Sequence, residues 1–86
     1  MRPVNYNKLK PAERRIVREN YIRDQKGLCY YCKAPLDGPP AMEVKKKKVN
    51  KNLFPEGFFN WPIHLHHDHV TGLTIGAVHA YCNAVL

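Results

Sequence analysis

The sequence predicts a small α+β domain that is stapled by a zinc ion. Three features support this class: a helix-forming segment near the N-terminus, two β-forming segments joined at Thr71-Gly72, and two pairs of potential metal ligands. The 86 residues suffice for one domain, which spans residues 1–86. A chain of this length buries only roughly 60–65% of its unfolded surface, so we expect a metal staple to support its small core.

The composition favours a polyanionic partner. The chain has 14 Lys and Arg residues against 7 Asp and Glu residues, which gives a formal net charge of +7. Such a charge favours nucleic acid first and an acidic membrane surface second. No apolar run approaches the ~20 residues that cross a bilayer, and no signal sequence is visible. We therefore expect a soluble, cytoplasmic protein without a membrane or small-molecule partner.

Residues 1–27 are expected to form a basic arm followed by a helix. Pro11 suits the first turn of a helix, residues 12–26 contain no glycine or proline, and Gly27 suits the position after the last turn. The polar side of this helix is basic. The residues predicted there to contact phosphates, or else simply to be solvated, are Arg14, Arg15 and Arg18.

Residues 28–62 are expected to contain a metal-binding turn and an insertion. Cys29 and Cys32 form a C-x-x-C turn. Residues 41–53 alternate only weakly, so we predict a ribbon or a flexible loop that reaches towards phosphates, with a solvated hairpin tip as the alternative. The lysines of this segment are Lys45, Lys46, Lys47 and Lys48. The aromatic residues of the segment 54–62 are expected to complete a small core rather than to stack on bases.

Residues 63–86 predict a strand, a second strand and a helix. Residues 63–70 and 73–78 are rich in β-forming residues, and Gly72 permits the positive φ of a tight turn. Residues 79–86 contain no helix breaker. The C-terminal unit is therefore expected to be ββα.

Four residues have the spacing of structural zinc ligands: Cys29, Cys32, His79 and Cys82. Each pair is separated by two residues, and thiolates with imidazole suit tetrahedral zinc. The 46 residues between the pairs mean that the ion would join the N-terminal half to the C-terminal helix. A redox C-x-x-C is the alternative, although no thioredoxin-like pattern surrounds it. His64 is the substitute if His79 is not the fourth ligand.

The C-terminal part of the chain resembles the HNH endonucleases, which are also called ββα-metal or His-Me finger nucleases. The resemblance depends on the run His66-His67-Asp68-His69-Val70-Thr71-Gly72, followed by Gly76, His79, Cys82 and Asn83. This part of the chain is most similar to the recombination endonuclease VII-like branch. That branch typically has an Asp-His-Asp-His segment, a Thr-Gly turn, an Arg-Gly pair and Cys-x-x-Cys-Asn, with an earlier C-x-x-C. The resemblance covers residues 12–35 and 63–86, whereas residues 36–62 match nothing in the family.

The resemblance implies a metal-dependent DNA endonuclease that nicks or fully cleaves duplexes, encoded by a phage or mobile element and acting as a monomer or homodimer. The implied fold is a zinc-stapled ββα-metal fold with an N-terminal helix and an inserted loop or ribbon. His67 matches the general base, and His66 and Asn83 match the ligands of a catalytic divalent cation. His69 matches a residue that supports the site or contacts phosphate. Asp68 would orient His69 or approach the cation.

Three positions depart from the family pattern. His66 stands where the family has Asp, and imidazole prefers transition metals, so we expect Mn²⁺, Co²⁺ or Ni²⁺ to support activity better than Mg²⁺. His79 replaces a cysteine, and Ile75 replaces an arginine for which Arg23 or Lys51 would compensate. The alternative from another functional class is a zinc-stapled nucleic-acid-binding module without catalysis.

Overall fold

The fold is built around a two-stranded antiparallel sheet, in a computed structural model that describes residues 2–85. Helix α1 spans Pro11–Asp24, α2 spans Met42–Lys45 and α3 spans Ala80–Val85, while the strands are β1, Ile63–His67, and β2, Thr74–His79. Single 3-10 turns lie at Tyr6–Lys8 and Lys51–Leu53. The predicted α+β class and the order of its main elements are confirmed. None of the described helices is both long and apolar enough to span a bilayer.

Helix α1 begins as the sequence predicts and ends two residues early. Pro11 occupies its first turn, and the carboxylate of Glu13 accepts a hydrogen bond from the backbone N–H of Lys10 at 2.9 Å. After Asp24 the chain turns through Lys26 and Gly27, which both have positive φ. One face of α1 is buried against the sheet, where the Tyr21 hydroxyl lies 2.8 Å from the hydroxyl of Thr74.

The side chain of Gln25 joins the end of α1 to β2. Its amide nitrogen donates to the carbonyl of Ala77, and its amide oxygen accepts from the N–H of the same residue, both at 2.9 Å. Gln25 therefore forms hydrogen bonds with the backbone N–H and carbonyl groups at this edge of β2, as a neighbouring strand would. Gly76 permits the approach, since a Cβ there would lie 2.9 Å from both the Gln25 amide oxygen and the ring of Tyr30.

The hairpin turn depends on Asp68. Its carboxylate accepts hydrogen bonds from the N–H groups of Val70, at 2.7 Å, and Thr71, at 2.9 Å, and Gly72 has a φ of 77°. The bonds from Thr71 and Val70 lower the pKa of Asp68. Asp68 is thus committed to the turn, and β1 ends at His67 rather than at residue 70.

The N-terminal segment lies along the start of β2. The Val4 carbonyl accepts a hydrogen bond from the Thr74 N–H, and the Gly72 carbonyl accepts one from the Tyr6 N–H, both at 2.8 Å. Asn5 forms an isolated β-bridge with Leu73. The region expected to be a basic arm is therefore docked on the hairpin over residues 4–6, and this docking brings Tyr6 beside β1.

The insertion between residues 36 and 62 is not an extended ribbon. Its first part forms α2, because Ala41 begins a helical turn and Val44 is buried in the core. The rest is loop with one 3-10 turn, so the predicted ribbon over residues 41–53 is wrong, and the predicted loop holds only outside Met42–Lys45. The core residues packed between α1, α2, the sheet and α3 are Val17, Tyr21, Cys29, Leu36, Val44, Leu65, Ala77, Val78 and Cys82.

Candidate functional site

The four predicted zinc ligands converge to form one group, here called the zinc cluster: Cys29, Cys32, His79 and Cys82. Their ligand atoms all lie within 4.8 Å of one another. Cys29, His79 and Cys82 are only 1%, 3% and 0% exposed. The first two cysteines come from the turn after α1, His79 ends β2 and Cys82 lies in α3. This Cys3His group could hold a zinc ion, as the spacing predicts.

The orientation of His79 is fixed by a backbone carbonyl. Its Nε2 donates a hydrogen bond to the Pro35 carbonyl at 2.8 Å. Because neutral imidazole carries one N–H, the lone pair of Nδ1 faces the thiols, 3.4 Å from Cys32 Sγ and 3.6 Å from Cys82 Sγ. Nitrogen and sulfur ligands of tetrahedral zinc lie about 3.6 Å apart. The donor set and these two nitrogen–sulfur distances therefore fit zinc.

Cys32 and Cys82 differ in how easily they ionise. Burial raises the pKa of Cys82. Burial also opposes ionisation of Cys32, but backbone hydrogen bonds at Ala41 and Ala34 outweigh it and lower its pKa to about 7. The N–H of Cys32 in turn donates to the sulfur of Cys29 at 3.5 Å. The buried Cys82 would ionise only with a cation beside it.

A second site, the histidine cleft, is a cavity of about 470 Å³ between β1, α1 and the segment 54–62. It brings together six of the predicted functional residues: Arg14, Arg18, His66, His67, His69 and Asn83. The other lining residues are Tyr6, Pro11, Phe58, Trp61, Ile63, His64 and Leu65. Two arginines and no carboxylate line the cleft within residues 2–85, so it favours an anionic ligand.

Asn83 lies between two histidines on the same face of β1. His64 Nε2 donates to the Phe58 carbonyl at 2.8 Å, so the neutral ring accepts at Nδ1, where the Asn83 Nδ2 amide donates at 3.1 Å. The Asn83 Oδ1 oxygen must then face His66, whose Nδ1 is 3.1 Å away. His64 is thus not part of the zinc cluster, and the alternative that made it the fourth ligand is wrong.

The facing atoms of His66 and Asn83 are close enough to bind one metal ion together. Two ligand atoms at right angles on one ion, each with a bond of about 2.1 Å, lie about 3.0 Å apart. The separation of 3.1 Å between His66 Nδ1 and Asn83 Oδ1 is compatible with this. One imidazole nitrogen and one amide oxygen, without a carboxylate, form a donor pair that suits a borderline transition metal better than Mg²⁺.

His67 is held by aromatic stacking. Its ring lies parallel to Tyr6, with centroids 3.9 Å apart and planes at 5°, and the guanidinium of Arg14 lies 4.1 Å from the Tyr6 centroid. Two groups so close to the ring centre must occupy opposite faces of Tyr6. The β1–β2 register is irregular between His66 and His67, which lets both consecutive side chains line the cleft.

The electrostatics of the cleft keep His67 neutral. Burial lowers its pKa, and the nearby His69, His66 and Arg14 lower it further, while a hydrogen bond with the Leu65 carbonyl acts in the opposite direction. The pKa of His66 is lowered mainly by its burial. Uncharged rings can accept a proton or bind a metal at neutral pH.

Several predicted phosphate contacts lie outside the cleft. Arg15 is paired with Glu19 at 3.6 Å on the exposed side of α1. The lysine run begins at Lys45, the last residue of α2, and lies beside α3, where Tyr81 donates to the carbonyl of Lys47. Neither Arg23 nor Lys51 lines the cleft, so the compensation expected from them for Ile75 is not observed. Arg14 and Arg18 are the cationic residues that line it.

Sequence reasoning did not predict that Tyr6, Phe58, His64 and Trp61 line the cleft. The alternation of His64 with His66 was a usable signal for one of them, since residues two apart on a strand share a face. No match to this chain is found among protein-family models, curated proteins or solved structures. The two sites themselves are therefore the basis for a functional conclusion.

Proposed function

We propose that this protein is a zinc-stapled, metal-dependent endonuclease of the HNH type that hydrolyses phosphodiester bonds in DNA. The observation that carries the proposal is the convergence of His66, His67 and Asn83 with two arginines in one cleft. These residues come from three elements, β1, α1 and α3, and each has a use in hydrolysing a phosphodiester.

His67 is the general base. Its ring is neutral because burial and the neighbouring positive charges lower its pKa. Stacking on Tyr6 restricts the rotation of the ring, so the nitrogen that accepts the proton has a defined direction. A water oxygen bonds to phosphorus and its proton passes to His67, while the bond from phosphorus to the 3′ oxygen breaks. The 3′ oxygen takes a proton from solvent, and the products carry a 5′ phosphate and a 3′ hydroxyl.

Arg14 and Arg18 bind the DNA phosphate. Both line the cleft on the side formed by α1, and the Arg14 guanidinium is held by the ring of Tyr6. Within residues 2–85, the buried Arg14 Nε has no hydrogen-bond partner. Positive charge in a cleft without carboxylates attracts the phosphate and stabilises the charge that develops on it.

His66 and Asn83 are the residues that would hold a catalytic divalent cation. When bound, such a cation supplies stabilisation of negative charge on the phosphate and the leaving oxygen. His69 lies with its ring 4.9 Å from that of His67 and is exposed, so it contacts phosphate or supports His67.

A plasmid assay tests the proposal. Supercoiled DNA is incubated with the zinc-loaded protein and Mn²⁺ or Ni²⁺, with and without EDTA, and zinc content is measured throughout. The informative variant is His67→Phe, because phenylalanine retains a flat ring beside Tyr6 but has no basic nitrogen. We expect nicking or linearisation by the wild type, and none by His67→Phe or with EDTA.

The rival function, a nucleic-acid-binding module without catalysis, makes a different prediction. Wild type and His67→Phe would then retain DNA equally on a gel, and neither would cleave it with any of the metals. That outcome would refute the nuclease, provided that zinc content and the melting temperature of both proteins agree.

A further inference from the structure

We infer that His64 is a positioning residue that orients the amide of Asn83 so that its oxygen is presented to the cation site. The inference rests on the proposed function, in which His66 and Asn83 hold the cation. His64 itself contacts neither phosphate nor cation in this scheme; it acts through Asn83.

The argument starts at the Phe58 carbonyl, which can only accept a hydrogen bond. His64 Nε2 lies 2.8 Å from it and must therefore carry the proton. The ring also packs edge to face against Phe58, with centroids 4.7 Å apart, and this contact restricts its rotation.

A neutral ring protonated at Nε2 has only a lone pair at Nδ1. The Asn83 amide group 3.1 Å away must present its N–H there, and Oδ1 is directed at His66. If His64 were absent, the amide could turn over and present N–H groups, which cannot bind a cation. The three hydrogen bonds from Phe58 to His66, the last of which His66 Nδ1–H donates to Asn83 Oδ1, therefore select one of two amide orientations, and a bound cation would take the place of that last proton.

The positioning role of His64 also gives the segment 54–62 a function, because this segment supplies the Phe58 carbonyl. Phe58 contacts Phe54 and Phe59 with ring centroids 4.8 Å and 4.9 Å away, so its position is set by an aromatic cluster inside the insertion. The insertion thereby reaches the candidate cation site through a backbone carbonyl and one imidazole. The three phenylalanine rings of this segment pack on one another beside the cleft, whereas Trp61 is 72% exposed, so the small core predicted for these rings is formed only in part.

Two near-isosteric variants separate the hydrogen bonds of His64. His64→Asn places an amide oxygen close to the position of Nδ1 and can still accept from Asn83. His64→Gln places its amide close to the position of Nε2, so it can still donate to Phe58 but offers no acceptor to Asn83. Mn²⁺ binding by the zinc-loaded proteins is measured without DNA, from the electron paramagnetic resonance signal of free Mn²⁺, with His66→Ala as the reference for a lost site.

We expect His64→Gln to weaken Mn²⁺ binding about 10–100-fold and His64→Asn to remain within about threefold of the wild type. If the two variants bind Mn²⁺ equally well, or lose binding equally, the inference is overturned, since the bond to Asn83 would then have no specific effect. If the wild type binds Mn²⁺ no better than His66→Ala, the cation site of the proposed function fails, and the inference falls with it. Equal zinc content and melting temperatures establish that all variants are folded.

Discussion

Removing the zinc ion should unfold the chain, and Cys82→Ala is the most direct perturbation. Cys82 is fully buried, and no described residue outside the zinc cluster could replace its sulfur. The 46 residues between Cys32 and His79 form the loop that the ion would close. Closing a loop of that length stabilises the folded state by about 4 kcal/mol through the entropy of the unfolded chain.

A stabilisation of about 4 kcal/mol from loop closure is large for a chain of this size. Domains of this length have a free energy of unfolding of about 4–13 kcal/mol, and 1 kcal/mol corresponds to about 4–8 °C in Tm. We therefore expect Cys82→Ala to lower the Tm by at least about 15 °C, or to abolish the cooperative transition. Far-UV circular dichroism measures the transition, and a colorimetric assay measures bound zinc.

A chelator gives the control for this experiment. If the ion is the staple, chelation lowers the Tm of the wild type towards that of Cys82→Ala and leaves the variant unchanged. His79→Cys replaces one zinc ligand by another and should keep both the ion and most of the stability. A chelated wild type that melts at its original temperature would refute the reasoning, because the small core would then suffice alone.

Three further predictions concern the histidine cleft. Arg18→Ala should reduce kcat/KM for DNA cleavage on the order of 100-fold and Arg15→Ala much less, because Arg18 lines the cleft and Arg15 does not; equal losses would contradict the phosphate assignment. Plasmid cleavage should be faster with Mn²⁺, Co²⁺ or Ni²⁺ than with Mg²⁺, because the cleft offers nitrogen and amide ligands without a carboxylate, and a clear advantage for Mg²⁺ would refute this. Trp61, the one tryptophan of the chain, is 72% exposed at the cleft, so DNA binding should quench its fluorescence; binding on a gel without any change in emission would place the DNA elsewhere.

The zinc cluster and the ββα unit could be predicted because their signals are local. The spacing of each ligand pair is set by one turn of backbone, and a hairpin with Gly72 at a positive φ has few alternative structures. Asn83 was grouped with the histidines of β1 through the resemblance to the HNH endonucleases, and the structure brings these residues together in one cleft.

Features that depend on contacts between distant segments could not be predicted in this way. The docking of Tyr6 on the hairpin arises from backbone hydrogen bonds between residues about 70 positions apart, which leave no periodic pattern. The hydrogen bonds of Asp68 within the hairpin turn were not predicted, because a turn-forming carboxylate and a metal ligand can have the same sequence signature. Helix α2 was missed since four consecutive lysines concealed that Val44 is a core residue.

The two candidate metal sites are joined by α3, and this makes one a condition of the other. A helix of six residues has little stability of its own, so its position is set by what its side chains contact. Cys82 belongs to the zinc cluster, and the adjacent Asn83 lies between His64 and His66. Loss of zinc releases Cys82, and the Asn83 amide then loses its fixed distance from His66. Zinc-free protein should therefore bind no Mn²⁺ at the cleft even where residual structure survives, whereas His66→Ala should lose Mn²⁺ and keep zinc. Retention of Mn²⁺ affinity after zinc removal would contradict this one-way dependence.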